Sequence, residues 1–255
     1  MTVASSTEVG QACGTSLRVG GFVPFSANDY PDKLSAVVFC QGCPWRCAYC
    51  HNPHLVPANG PDERDFTRIL AWLRSRAGLL DAVVFSGGEP TAQSLLGDAM
   101  DAVRQSGFAI GLHTAGAYPR RLAQVIARVD WVALDVKAPF ADYARVTSVP
   151  GSGAATLESL DLVMRAGIDY EIRTTVHPHL VDAQGLETIA VALATRGVGR
   201  WILQRFRPIG CTNAELVASA PCESTFEPAL VAALRRYVPD IRVRGADAGT
   251  FASAR

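Results

Sequence analysis

Short apolar runs rich in β-branched and aromatic residues alternate with longer segments of helical period, and this alternation restricts the fold more than any other feature of the chain. Leu34 to Cys40, Ala82 to Ser86, Phe108 to Leu112, Trp131 to Val136, Tyr170 to Val176, Trp201 to Phe206 and Ile241 to Val243 predict strands. Between them apolar residues recur three and four apart. Phe66, Ile69, Leu70 and Leu73 form one such stripe, and Leu96, Ala99, Met100 and Val103 a second. Leu122, Val125, Ile126 and Val129 repeat the pattern, as do Leu186, Ile189, Ala190 and Leu193, with looser stripes around Leu157 to Met164 and Phe226 to Tyr237. A stripe of that period is one face of a helix. Strands separated by helices predict an α/β fold with a mainly parallel sheet and crossover connections. About six such units, fewer than the eight of a closed barrel, predict a partial (β/α) barrel whose open side admits a bulky substrate. Asp62 is placed to cap the first helix, Gly78, Gly107, Gly167 and Gly197 stand where helices should stop, and Pro150 to Gly153 predicts a loop in the fourth crossover.

Composition narrows the classes further. The chain has 255 residues, 49% apolar and 19% charged, which excludes disordered, collagen-like and coiled-coil chains. The longest uncharged stretches, Cys47 to Pro61 and Gln105 to Pro119, are broken by Gly, Pro, His or Asn, so no membrane span is predicted. With 24 basic residues against 24 acidic ones, net charge makes no case for a nucleic-acid partner. Residues 1 to 16 predict a flexible leader ahead of a single domain over 17 to 255. No Lys or Arg precedes Arg18 and no secretory signal is evident, which points to the cytoplasm.

Four of the seven cysteines fall within eleven residues: Cys40, Cys43, Cys47 and Cys50. The others are Cys13, Cys211 and Cys222, and an odd total without an export signal argues against a disulfide framework. Cys43, Cys47 and Cys50, spaced C-x3-C-x2-C directly after a predicted strand, can hold three corners of a [4Fe–4S] cube and leave the fourth iron open. The competing reading is a zinc-binding module that recruits Cys40. Cys40 ends an apolar strand and no second pair follows at zinc-ribbon distance, so Cys40 fits a core thiol better.

The run Cys43-Pro-Trp-Arg-Cys47-Ala-Tyr49-Cys50-His-Asn, with Ser86-Gly87-Gly88-Glu89-Pro90 after the next strand, resembles the radical S-adenosylmethionine (SAM) superfamily. The wider text from Leu17 to Gly245 is similar to the activating proteins of anaerobic ribonucleoside-triphosphate reductase, which are glycyl-radical enzyme activases. The resemblance implies that SAM chelates the open iron and is cleaved on reduction to a 5′-deoxyadenosyl radical. That radical abstracts hydrogen from a glycine of the partner, anaerobic ribonucleotide reductase or another glycyl-radical enzyme. It also implies an electron donor such as a flavodoxin or ferredoxin, with the cofactor doing the hard chemistry and the protein positioning it.

Site roles follow residue by residue from that resemblance. Cys43, Cys47 and Cys50 would ligate the cluster, and Tyr49 would lie against the adenine. Gly87 and Gly88 would let backbone approach the methionyl group, and Glu89 would accept a hydrogen bond from its ammonium. Asp135 and Lys137, two apart on one strand, face the same side and match a D-x-K motif, with Lys137 suited to the SAM carboxylate. Arg173 matches a strand arginine of formate-lyase activases, whereas Arg207 falls where those enzymes carry a histidine, with Arg205 equally placed. Thr114 resembles the Thr of a D-T-N-G turn. His113 and Ala115 replace its Asp and Asn, which puts a monovalent-cation site in doubt. His177 and His179 predict a turn, and Asp29-Tyr30-Pro31 either resembles a D-x-P element that would line the entrance for the partner's glycine loop or is a turn whose Pro fixes the approach to the strand. A radical SAM enzyme acting on a small molecule would share these motifs.

Overall fold

The computed structural model describes residues 16–221 and 226–245, so nearly all of the expected leader, together with Cys13 and Cys222, lies outside the described residues. Nine strands form one sheet: β1 (Arg18–Ser26), β2 (Ser35–Cys40), β3 (Arg64–Asp65), β4 (Ala82–Gly87), β5 (Ala109–Thr114), β6 (Trp131–Asp135), β7 (Asp169–Val176), β8 (Arg200–Arg205) and β9 (Asp240–Arg244). The spatial order is β3-β1-β2-β4-β5-β6-β7-β8-β9, and the ladders from β2 through β9 are parallel. Each parallel strand is added beside its predecessor, which is what right-handed crossovers on one face produce. Among the described residues the sheet ends at β9 without pairing back to β3, a partial barrel, as expected.

The crossovers carry α1 (Phe66–Arg74), α2 (Leu96–Gln105), α3 (Pro119–Val125), α4 (Tyr143–Thr147), α5 (Ser152–Ala166), α6 (Ala183–Ala194), α7 (Ala214–Ala218) and α8 (Pro228–Leu234). Each predicted apolar stripe faces the sheet. Alternation along the strands separates two apolar layers: Val83, Phe85, Ile110, Leu112, Val132 and Leu134 pack under the helices, while Val37, Ala82, Val84, Trp131 and Ala133 face the concave side. Gly78, Gly107, Gly167 and Gly197 all take positive φ at helix ends, with open space where a Cβ would be.

Four expectations need correction. β1 was not foreseen, because Gly20, Gly21 and Pro24 make a poor strand signal. It forms as an antiparallel partner of β2, and Pro24 sits at a register shift where no ladder hydrogen bond is lost. The cap of α1 is Asp65, whose carboxylate accepts from Thr67 N at 2.8 Å, rather than Asp62, three residues too early. The loop expected at 150–153 is shorter, since Ser152 and Gly153 already form the first turn of α5 behind a left-handed Gly151.

The fourth correction concerns Asp29-Tyr30-Pro31. This turn precedes β2 and therefore lies at the N-terminal ends of the parallel strands, opposite the cysteines. Its Tyr30 folds into the concave face, 6% exposed, with its ring centroid 4.9 Å from that of Trp131. A Cβ on Gly111 would lie 3.0 Å from the Tyr30 ring, so a glycine is what admits it. Tyr30 closes the far end of the half-barrel instead of lining the rim beside the cysteine loop. Tyr30→Ala is predicted to cost about 3 kcal/mol in urea unfolding, and Tyr30→Phe to retain most of that.

Candidate active site

Strands β2 and β4 end side by side, with Cys40 opposite Gly87. Gly87 has φ +110°, which L side chains rarely adopt, and a Cβ there would lie 2.4 Å from Cys40 N. On Gly88 a Cβ would lie 2.4 Å from the Gly42 carbonyl. The space is taken by backbone: Gly88 N donates to Cys40 O and Glu89 N to Gly42 O, both at 2.9 Å. Protein packing therefore already requires both glycines, whatever they do for a ligand. Beyond them Gly42 N donates to Leu55 O at 2.8 Å and Cys43 N to Val56 O at 3.0 Å, which starts the cysteine loop in a fixed direction.

Two glutamines that the motifs did not single out hold this root. Gln41 Nε2 donates to the carbonyls of His54 (3.1 Å) and Pro57 (2.8 Å), and Gln93 Nε2 donates to those of Gln41 (3.0 Å) and Arg18 (2.7 Å). Both are buried. The available signal was a primary amide set between an apolar strand and the first cysteine, where only a hydrogen-bonded polar group is tolerated.

The rest of the loop is clasped from two sides. Arg46 N and Ala48 N donate to the carbonyls of Thr147 and Val146 at 3.1 and 2.8 Å, which ties the loop to the end of α4. On the other side His51 Nε2 lies 2.9 Å from the Arg207 carbonyl, and the Cys211 thiol lies 3.8 Å from the Ala48 carbonyl. Cys43, Cys47 and Cys50 are partly exposed, whereas Cys40 is buried in the helix-side core. Burial pushes the Cys43 thiol up to about 12 and raises Cys47 as well, while Lys137 opposes the rise at both. Lys137 Nζ lies 2.8 Å from Asp135 Oδ2 and 5.6 Å from the Tyr49 ring centroid. Burial would lower the Lys137 pKa, but Asp135, Tyr49 and Cys47 outweigh it and hold the ammonium charged. The D-x-K pair, Tyr49 and the thiols thus form one group, as their order along the strands predicts. Tyr143 supports it from below, its hydroxyl accepting from Lys137 N and donating to Asp135 O.

Glu89 and Thr114 form a second, fully enclosed group. Glu89 Oε1 accepts from Thr91 N, Thr91 Oγ1 and Thr114 Oγ1, and Oε2 accepts from Ala115 N at 2.9 Å. Burial raises the Glu89 pKa in spite of these donors. In this structure the carboxylate links the turn after β4 to the turn after β5 and presents no surface to a ligand.

Deeper on the concave face, Arg173 stands opposite Asp135 in the β6–β7 ladder. Its Nε donates to Glu171 Oε1 at 2.6 Å, and Arg244 holds the same carboxylate with two bonds of 2.7 and 2.8 Å. Glu171 and Arg244 were missed, although E-x-R on β7 has the same spacing as D-x-K on β6. His113 Nε2 lies 2.8 Å from the Asp29 carbonyl and 3.1 Å from Arg173 Nη2. Burial and then Arg173 hold this imidazole well below its ordinary pKa, and its neutral Nε2–H donates to the shorter partner, Asp29. Arg207 stands apart, exposed on the loop after β8, and among the described residues only its carbonyl is engaged. Arg205 Nε is instead buried without a partner among the described residues. His177 and His179 form a turn, as expected, with His179 N donating to His177 Nδ1.

A model of the radical SAM superfamily matches residues 37–192. This chain belongs to that superfamily. A relative from Methanocaldococcus jannaschii, assigned as a glycyl-radical enzyme activating enzyme, is 29% identical over 245 residues, covering 91% of this chain and 98% of the relative. The pyruvate formate-lyase-activating enzyme of Clostridium pasteurianum is 30% identical over 157 residues, 59% of this chain and 65% of that one. The crystal structure of QueE from Escherichia coli shares the fold, with a TM-score of 0.53 at 15% identity over 91% of this chain and 95% of that one. The protein is a radical SAM enzyme, and its cofactors are a [4Fe–4S] cluster and SAM.

The donors present fit that group. Each thiolate of a cube binds a different iron, so the three cysteines have no need to meet at one point, as tetrahedral zinc would require. Lys137 supplies a fixed cation beside Cys43 and Cys47, where the net charge of a thiolate-bound cluster is negative.

Replacing Glu171 by Gln leaves two arginines on the concave face without their anion and is predicted to cost about 3 kcal/mol near neutral pH. Burial alone would raise the Glu171 pKa, but Arg173 and Arg244 together hold it below the ordinary 4.5. That stabilisation is present above 4.5 and is lost as pH falls through the lower folded value. Urea titrations of the two proteins should therefore differ most near pH 7 and converge under acid.

Proposed function

We propose that this enzyme is a glycyl-radical enzyme activase whose target is anaerobic ribonucleoside-triphosphate reductase. The supporting observation is the similarity to the M. jannaschii relative over 91% of this chain and 98% of that one. The ribonucleotide reductase target rests on the resemblance of the text from Leu17 to Gly245. The unclosed sheet suits a macromolecular substrate, since among the described residues no further strand follows β9 on that side of the concave face. A flavodoxin or ferredoxin is the electron donor in this reading. The free thiols suit a reducing compartment such as the cytoplasm, and no helix among the described residues is long and apolar enough to cross a membrane.

Bound together and reduced, cluster and SAM supply a primary carbon radical strong enough to take a hydrogen atom from a glycine Cα. The chain's own residues hold the reactants for that step. Lys137, kept charged and aimed by Asp135 and Tyr143, binds the SAM carboxylate with a charge-assisted bond. Asp135 takes the ammonium on the same face, and Tyr49 offers an aromatic surface beside the third cysteine. Gly87, Gly88 and Glu89 hold the cysteine loop and the neighbouring turn at fixed separation, and Arg173 sets the charge of the concave wall. Tyr30 closes the far end against water.

Anaerobically reconstituted enzyme, reduced and given SAM and the reductase, should produce the doublet EPR signal of a glycyl radical on the reductase. If SAM is cleaved but no such signal appears on the reductase, that target is wrong. Lys137→Ala should weaken SAM binding by about 10- to 100-fold in equilibrium titration, as the loss of a hydrogen bond to a charged group implies. Unchanged affinity would remove Lys137 from the SAM site.

A further inference from the structure

We propose that the outer face of the cysteine loop, centred on Arg46 and continued by Arg145 and Arg207, is the docking surface for an acidic one-electron donor protein. The inference rests on the reading that the cysteine loop holds a redox cluster. Cys47 is partly buried, whereas Arg46, the residue before it, is exposed to solvent. One peptide bond therefore separates a cluster ligand from a surface cation.

Two further exposed arginines extend the same face. Arg46 N and Ala48 N bond to Thr147 and Val146, which directly follow Arg145 on α4. Across the loop, the Cys211 thiol reaches Ala48 and the Arg207 carbonyl reaches His51, which brings Arg207 to the opposite margin. Among the described residues none of the three guanidinium groups forms an ion pair. Asp142, just before α4, and Glu215 on α7 form no ion pair with them among the described residues. Among the described residues the side chain of Arg46 has no hydrogen bond, and Arg145 spends one nitrogen on the Leu180 carbonyl, so no acidic side chain is paired with the charge on this face.

A chain whose net charge is zero gains nothing from general attraction, so a local cationic face is what steers an acidic protein to one place. In each encounter the docked donor loses one electron and the cluster gains one, with no proton or atom transferred. A rim of this kind acts on association, and its effect falls with salt.

The test measures cluster reduction directly, by stopped-flow loss of its visible absorbance, with purified flavodoxin hydroquinone as donor. Each hydroquinone gives one electron and becomes the semiquinone. Arg46→Glu and Arg145→Glu should each slow this reduction about tenfold at low ionic strength, with the gap closing at high salt. Arg68→Glu, an exposed charge reversal on α1, should change nothing, and photoreduced 5-deazariboflavin should reduce all the variants at the wild-type rate. Wild-type rates with flavodoxin in Arg46→Glu across the salt range would overturn the docking surface while leaving the radical SAM chemistry intact. Equal slowing with deazariboflavin would also overturn it, by showing that the substitution acts on the cluster. A wild-type protein that neither donor reduces would refute the underlying reading of the cysteine loop itself.

Discussion

The ends of β2 and β4 approach so closely that two backbones touch with no side chain between them. Gly87 and Gly88 pass against Cys40 and Gly42, where any Cβ would fall within 2.4 Å of a backbone atom. That contact decides where the cysteine loop begins and in which direction it leaves the sheet. It also decides where Glu89 enters the interior, to bind the turn after β5 through Thr114 and Ala115. A displacement here would move the first cysteine and two of the loops around the mouth together. The amides of Gln41 and Gln93 reinforce it by satisfying the carbonyls left free where the ladder stops.

Charge on the concave face is the second constraint. Period-two alternation sends Asp135 and Lys137, Glu171 and Arg173, and Arg244 to the same side of three strands. Buried charges are costly unless they are paired. The structure meets this with Lys137 on Asp135 and with one glutamate shared between Arg173 and Arg244. The last strand thereby fixes an arginine two strands away. The concave face thereby carries a wall of oriented charge held by the sheet and independent of loop order.

Much of this was legible in the residues. The parallel order, the six crossovers and the position of the cysteines after β2 all followed from periodicity and spacing, because those signals come from side-chain burial in consecutive elements. The D-x-K pair was legible for the same reason, since both residues lie on one strand. What escaped notice depends on contacts between segments far apart in the chain. β1 is made a strand by β2 and not by its own Gly- and Pro-rich sequence. Tyr30 reaches Trp131 across the half-barrel, and Arg244 reaches Glu171 from 73 residues away. Gly87 and Gly88 were singled out for approach to a ligand, whereas the neighbouring backbone already accounts for their lack of a side chain. Arg207 was singled out by its place in a motif, and its side chain lies outside the group it was assigned to.

The central claim is that Cys43, Cys47 and Cys50 hold a cube with one iron open to SAM, beside Lys137. The most direct measurement is the EPR spectrum of the reduced, anaerobically reconstituted protein with and without SAM, alongside chromatography for 5′-deoxyadenosine and with Cys47→Ala as control. A [4Fe–4S] signal that SAM alters, with 5′-deoxyadenosine formed by the wild type alone, is the predicted result. A protein that retains zinc, or a cluster signal indifferent to SAM, would contradict the account.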